Sequence, residues 1–258
     1  MLNYMRSEWY RITHSTAIYM FTIIMSGLTL VLNVLLYALD KSDVSFPYGT
    51  QSFSLSILAS GMMTMFFAGL AVVSLLFSGD KKNGLMKNAL AFGISREKMF
   101  LARCIICVVS SLCSLAVILA VYIGSAVLLL PIGVEPDAVG ILLRGVGYTL
   151  PMAIAAEVLA VAFIDFMDKE LIACLGWYIF IGMLPKCCAL LGLKFPVWKR
   201  IAGWMPWNYL AEEVNVNMSG WSCMWETPEG AAKCLLAGGI GLILFLIMGL
   251  ELCRKQEH

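Results

Sequence analysis

Long apolar runs separated by short polar segments make up most of this chain. A helix needs about 20 apolar residues to cross a hydrocarbon core of about 30 Å. The pattern predicts spans at about 17–39, 52–78, 95–131, 139–164, from 171 onward, and 232–252. The expected fold is therefore all-α: a polytopic membrane protein with six transmembrane helices, forming a single transmembrane domain over residues 1–258.

Two further elements follow from the same pattern. Residues 1–14 carry Leu2, Met5, Trp9 and Ile12 on one helical face, which is typical of a helix lying in the membrane interface. The fifth span meets Pro185 after about 14 residues, or roughly 20 Å of helix, which is too short to cross.

Residues 185–231 are therefore predicted to form an outer, re-entrant or extracellular region with a short helical hairpin. Tryptophan is enriched at membrane–water interfaces. Five of the seven tryptophans lie in this region: Trp198, Trp204, Trp207, Trp221 and Trp225.

Composition and charge give the chain a class and an orientation. A 60% hydrophobic content, 14% charged residues and a mean hydropathy of +0.85 exclude a soluble domain. Six basic residues lie between Asp80 and Arg103, and such clusters favour the cytoplasmic side. The loop at 80–98 and both termini are thus predicted to be cytoplasmic. No basic patch interleaved with aromatic residues indicates a nucleic-acid partner.

The loop at 80–98 also has the pattern of a short amphipathic helix. Asn83 suits an N-cap, and Leu85, Met86, Ala89 and Leu90 then recur at helical spacing. Gly93 suits the left-handed residue that ends a helix, and Ser95 suits the next N-cap. The following helix, at over 50 Å if unbroken, is longer than the bilayer, so its first turns are expected to project as a stalk. This favours a docking surface, while a basic turn that only sets topology remains the alternative.

Catalytic and metal-binding patterns are missing from the sequence. Neither a phosphate-binding loop nor H-E-x-x-H nor G-x-S-x-G occurs, and His14 and His258 are the only histidines. We therefore expect no enzyme activity and no cofactor in this chain. Cys104 and Cys107 are interpreted as small apolar residues. A disulfide is left open for the outer cysteines, which are Cys187, Cys188 and Cys223.

Glu157 is the acidic residue expected within the fourth span. An intramembrane acid indicates function by default, but a structural hydrogen bond to a neighbouring helix explains it equally well. Its position, about seven residues from the inner boundary, predicts that it faces other helices or a cavity.

The layout, with Gly93-Ile94-Ser95-Arg96 followed by Lys98 and Arg103, resembles the permease subunits of type 2 ABC exporters. It is most similar to the short bacterial permeases of peptide export, bacteriocin immunity and antimicrobial-peptide resistance. The likeness covers nearly the whole chain in layout, but only about 20 residues in motif. Where the family often has an acid and a Gly-Thr-type turn, this chain reads Asp80-Lys-Lys-Asn-Gly84, so the start of the coupling helix stays open.

The resemblance implies partners and a mechanism. A second permease subunit, identical or paralogous, would pair with this chain in the bacterial cytoplasmic membrane, and two ABC ATPase subunits would carry ATP and Mg²⁺. A coupling helix at about 83–92 would enter an ATPase cleft, and nearby basic residues would contact its rim or lipid headgroups. The residues implied in coupling are Leu85, Met86, Ala89, Leu90, Phe92, Gly93, Ser95 and Arg96. The substrate would be an amphipathic peptide or another hydrophobic molecule. A secondary transporter and a non-transporting scaffold or sensor subunit remain the rival classes.

Overall fold

Helices account for nearly all of the regular structure in this protein. A computed structural model describes residues 2–43, 46–77, 79, 91–167, 169–217 and 220–255. The helices in chain order are α1 (Leu2–Thr13), α2 (Thr16–Ser42), α3 (Gln51–Ser60), α4 (Thr64–Phe77), α5 (Arg96–Leu129), α6 (Ala138–Phe166), α7 (Glu170–Tyr178), α8 (Leu184–Gly192), α9 (Pro196–Trp204), α10 (Pro206–Glu212) and α11 (Pro228–Lys255).

Five helices of the described residues are long and apolar enough to cross a membrane, so the polytopic helical class is confirmed. They are α2, α5, α6, the continuous segment Glu170–Gly192, and α11. The count becomes six only if the bent pair α3 and α4 acts as one span.

The second predicted span is broken, so the expectation of one continuous helix over 52–78 is wrong. α3 and α4 meet at an angle of 66°. Around the bend, the Gly61 N–H donates to the carbonyl oxygen of Ile57, and the Thr64 hydroxyl donates to that of Gly61 at 2.7 Å. Such local bonds satisfy the backbone groups that a broken helix frees, which apolar surroundings require.

The fifth span is continuous through Pro185, so the predicted stop at this residue is also wrong. One π-helical stretch, Ile179–Met183, joins α7 to α8, and the Leu184 N–H bonds to the carbonyl five residues back, at Ile179. Pro185 then occupies the first turn of α8, where its missing N–H costs little. The 23 residues Glu170–Gly192 span about 34 Å, which is enough to cross.

The region that the sequence predicts to be outer therefore follows a longer helix than expected and is partly β. α9 packs against α8 as a helical hairpin, but the first arm of this hairpin is the end of the fifth span. Strands β1 (Val214–Asn217) and β2 (Gly220–Cys223) form an antiparallel hairpin that the sequence pattern did not predict, and a 3₁₀ turn, Met224–Glu226, follows. Trp225 is buried, and its indole N–H donates to the Ile141 carbonyl at 3.0 Å.

α6 is the most buried of the spanning candidates, and α11 packs along it. A Cβ added at Gly238 would lie 2.6 Å from Cβ of Pro151, and one at Gly241 would lie 3.5 Å from Cβ of Ala155. Nothing lies within 4 Å of a Cβ at Gly239. Small residues thus allow the close contact between these helices at two of the three glycines.

Candidate functional site

The docking segment predicted from the sequence lies mostly outside the described residues. This applies to Leu85, Met86, Ala89 and Leu90, whereas Phe92, Gly93, Ser95 and Arg96 are described. Phe92 is 86% exposed. Gly93 has φ of +77°, so the left-handed residue expected here is confirmed. Ser95 is the extended residue before α5, as expected of an N-cap, but its side chain makes no capping hydrogen bond.

Both ends of the described chain lie beside the last turn of α4 or the first turn of α5, at an end of the bundle that we call the basic end. An Arg11 guanidinium N–H from α1 donates to the carbonyl of Leu76, at the last turn of α4, at 3.3 Å. Arg254, near the end of α11, donates to Glu97 in the first turn of α5 at 2.5 Å. α1, the end of α11 and the junction between α4 and α5 therefore lie together.

A buried ion layer, formed by Phe77, Arg103 and Asp165, connects the helices at the basic end. The guanidinium of Arg103 on α5 pairs with the carboxylate of Asp165 on α6. It also lies 4.9 Å from the centre of the Phe77 ring, and that of Arg11 lies 5.4 Å from the same ring. Both contacts are within cation–π range.

This layer corrects an interpretation of the charge pattern. Arg103 is only 2% exposed, so it does not belong to the basic residues expected at an ATPase rim or at lipid headgroups. Asp165, which falls just beyond the predicted fourth span of 139–164, lies within α6 and neutralises Arg103. Removing one partner of a buried ion pair is strongly destabilising, so the packing of α5 on α6 depends on these two charges staying together.

A cavity of about 260 Å³ lies between α2, the α3–α4 pair, α5 and α6. Apolar side chains form most of its wall, among them Phe21, Leu58, Met65 and Leu115. Its polar lining residues are Thr29, Thr64, Ser111, Ser114, Tyr122 and Glu157. Because Thr64 also bonds the bend in the second span, that bend forms part of the cavity wall.

Glu157 is the only acidic or basic side chain among the described residues that line this cavity. It is 3% exposed, and its Oε1 accepts a hydrogen bond of 2.5 Å from the Ser111 hydroxyl of α5. Ser111 is its only hydrogen-bond partner among the described residues. Gly69 of α4 lies beside it, since a Cβ there would be 3.3 Å from Cβ of Glu157. The residue thus contacts neighbouring helices and faces a cavity, as its position predicts.

A second polar cluster, centred on Asn33, was missed by the sequence analysis. The Asn33 amide on α2 donates to the Tyr122 carbonyl at 3.0 Å and to the Ser125 hydroxyl at 2.6 Å. Its oxygen accepts from the Ser54 hydroxyl of α3 at 2.5 Å. An asparagine within an apolar run is the signal that could have identified this link between three helices.

The cysteines and the metal-ligating residues form no further site. All nine cysteines are described and free, so the disulfide left open for the outer cysteines is not formed. Burial raises the pKa of the Cys223 thiol to about 12. Among the described residues, no group of three or more His, Cys, Asp or Glu could hold a metal ion.

No family model matches this chain, and neither does any curated protein or solved structure. The likeness to type 2 ABC exporter permeases therefore remains a prediction made from the sequence. Function is inferred below from the geometry of the basic end and the cavity.

Proposed function

We propose that this chain is the permease subunit of an ATP-driven ABC exporter and is coupled to a separate ATPase. One observation carries the proposal: α4 and α5, which flank the basic loop, are also two of the walls of the cavity. A partner that binds the loop therefore acts directly on helices that shape a cavity within the bundle.

The buried ion layer supplies the mechanical connection in this proposal. Arg103 and Phe77 couple α5 to α4, and Asp165 couples both to α6. α5 is 34 residues long, or about 51 Å, so a tilt at its first turn is carried past the cavity. The bend between α3 and α4 gives the opposite wall of the cavity a hinge about which it moves.

The remaining parts of the proposal follow the sequence-based expectations. The basic end faces the cytoplasm of a bacterial cell, and Phe92 is the exposed apolar residue that an ATPase cleft would cover. Two permease subunits, identical or paralogous, work with two ATPase subunits. The substrates are amphipathic peptides or other hydrophobic molecules, which fits the apolar lining of the cavity.

A secondary transporter is the second candidate, and Glu157 favours it. An intramembrane carboxyl group beside a cavity is a common feature of ion-coupled transport. This candidate requires no ATPase partner, so the experiment below distinguishes the two functions.

The test is purification of the tagged chain from its native membranes, followed by an ATPase assay and identification of bound proteins by mass spectrometry. We expect a polypeptide with a phosphate-binding loop and ATP hydrolysis in the wild-type sample. Phe92→Asp and Leu90→Asp are each expected to abolish copurification of this polypeptide and the ATP hydrolysis, because a charge buried unpaired in an interface is costly. Phe92→Leu, which keeps an apolar side chain, and Lys82→Ala are the controls. Both variants are expected to retain the bound polypeptide and the ATP hydrolysis, and for Lys82 the reason is that rim charges contribute little. Retention of the ATPase by both Asp variants would contradict the proposal.

Orientation is tested separately with a cysteine-free background and a thiol reagent that does not cross membranes. A cysteine at Lys82 is expected to react only from the cytoplasmic side, and one at Asn215 only from the outside. Asn215 lies in β1, in the outer region. The opposite accessibility at either position would overturn the assigned orientation.

A further inference from the structure

We propose that the cavity beside Glu157 binds a lipophilic amine, with its ammonium group on the Glu157 carboxylate and its hydrocarbon body against the apolar wall. The inference rests on three properties of the cavity: its single acid, its apolar lining and the position of its mouth. It deepens the proposed function by naming a ligand class for the same cavity, and the binding itself requires no ATPase.

The charge of the cavity determines the head group. Glu157 is the only acidic or basic side chain in the lining and is almost fully buried, with Ser111 as its hydrogen-bond donor. An ionised carboxylate in an apolar environment is costly unless it is paired with a positive charge. No lining residue supplies that charge, so a cationic ligand complements the site.

The hydrogen-bonding capacity of Glu157 selects an ammonium over a quaternary cation. Ser111 bonds only to Oε1, while an ionised carboxylate accepts at both oxygens. An ammonium donates up to three hydrogen bonds and so fits a site whose other polar groups are hydroxyls, including that of Ser114. Ser114 itself already accepts from Thr22 at 2.9 Å, which leaves Glu157 as the anchoring group.

The wall and the mouth determine the body of the ligand. The cavity volume of about 260 Å³ is near the lower end of the roughly 300–1,000 Å³ typical of small-molecule sites. Three lining residues are exposed on the surface of the bundle: Ile57, Leu112 and Thr64, whose hydroxyl already bonds to the Gly61 carbonyl. The mouth is therefore largely apolar, so a ligand dissolved in the bilayer reaches Glu157 without meeting a charged residue of this lining.

The test is saturable binding of radiolabelled 1-aminooctane to the purified full chain in lipid nanodiscs, without any ATPase, at pH 7. At this pH an alkylamine is protonated, as lysine is. Unlabelled 1-octanol, which matches the amine in length but is neutral, is the competitor. We expect the amine to bind at least about tenfold more tightly than the alcohol, because hydrogen bonds to charged groups are the stronger ones.

Three variants complete the design. Glu157→Gln keeps an acceptor for Ser111 and is expected to weaken amine binding about tenfold or more and to abolish the preference over octanol. Ala153→Phe fills the cavity and is expected to remove saturable binding of both compounds. Glu251→Gln, an exposed acid that is outside the lining, is the matched control and is expected to bind like the wild type.

The inference is overturned if the wild type binds octanol as tightly as the amine, or if Glu157→Gln binds the amine like the wild type. The first comparison uses only the wild-type protein, so it decides the question even if a variant does not fold. If the wild type shows no preference for the amine but an ATPase still copurifies with the chain, only the ligand class is refuted. Amine binding in nanodiscs, combined with no ATPase copurifying from native membranes, would instead refute the proposed coupling and favour a secondary transporter.

Discussion

Replacing Arg103 by Met is expected to destabilise the protein strongly, because it removes the buried guanidinium that pairs with the Asp165 carboxylate. Arg103 is 2% exposed and pairs with Asp165 across α5 and α6. Breaking a buried pair by removing one partner costs about 3–5 kcal/mol. Loss of the contact with Phe77 adds about 0.5–2 kcal/mol. Arg103→Met is therefore expected to lose at least about 3 kcal/mol of unfolding free energy.

The exposed ion pair at the same end provides a matched control. Arg254 contacts Glu97 at 2.5 Å, but the Arg254 side chain is 64% exposed. Solvent-exposed pairs contribute about 0–1 kcal/mol, so Arg254→Met is expected to change the unfolding free energy by no more than this. Both variants replace an arginine of an ion pair by methionine, so the difference between them reports the effect of burial.

A double variant tests whether the loss of unfolding free energy in Arg103→Met comes from the charge of Asp165. Arg103→Met combined with Asp165→Leu removes both charges, and replacing a buried pair with apolar residues is often nearly neutral. The double variant is therefore expected to be more stable than Arg103→Met alone. The assay is reversible unfolding of the purified protein in mixed micelles with increasing dodecyl sulfate, followed by helical circular dichroism.

Two results would refute this reasoning. The first is that Arg103→Met lowers the unfolding free energy by less than about 1 kcal/mol, as expected for the exposed control Arg254→Met. Such a small loss would mean that the Arg103–Asp165 pair is solvated. The other is additivity, in which the double variant is less stable than either single variant, because the charges would then not be coupled.

Two other predictions concern packing and thiol reactivity. Gly238→Ala brings a Cβ to 2.6 Å from that of Pro151 and is expected to lower the unfolding free energy by about 1–3 kcal/mol in the same assay. The Cβ of Gly239→Ala meets nothing within 4 Å, so this control is expected to be neutral or to stabilise the helix by up to about 1 kcal/mol. Equal effects of the two substitutions would contradict this packing. Because burial raises the pKa of Cys223 to about 12, its thiolate fraction at pH 9 is only about one in a thousand. Maleimide is therefore expected to label Cys223 much more slowly in the folded protein than after unfolding in dodecyl sulfate, as measured by mass spectrometry of peptides. Comparable rates would show that this thiol is accessible.

The sequence by itself determined the class of the protein and most of its long helices. α2, α5, α6 and α11 begin and end within a few residues of the predicted spans, because the length of apolar chain needed to cross a bilayer is a one-dimensional property. Gly93 was predictable for a similar reason, since a left-handed backbone favours glycine whatever surrounds it.

Proline and glycine were less informative inside the spans. Pro185 predicts a stop, yet the π-helical stretch before it lets the helix continue, while Gly61 marks a 66° bend that apolar patterning alone did not predict. Each outcome depends on whether neighbouring groups can satisfy the backbone bonds that are freed. That information belongs to the packed helices and not to the local sequence.

Only the tertiary structure decided which polar residues meet. Arg103 and Asp165 are 62 positions apart, and the chain pattern gave no indication that they form an ion pair. Glu157 was a candidate from its type and depth, but Ser111, the cavity and the absence of a neighbouring positive charge in its lining come from α5 and α6 packing together. Helix formation depends on nearby residues, whereas the energy of a buried charge depends on whatever distant segment is folded against it.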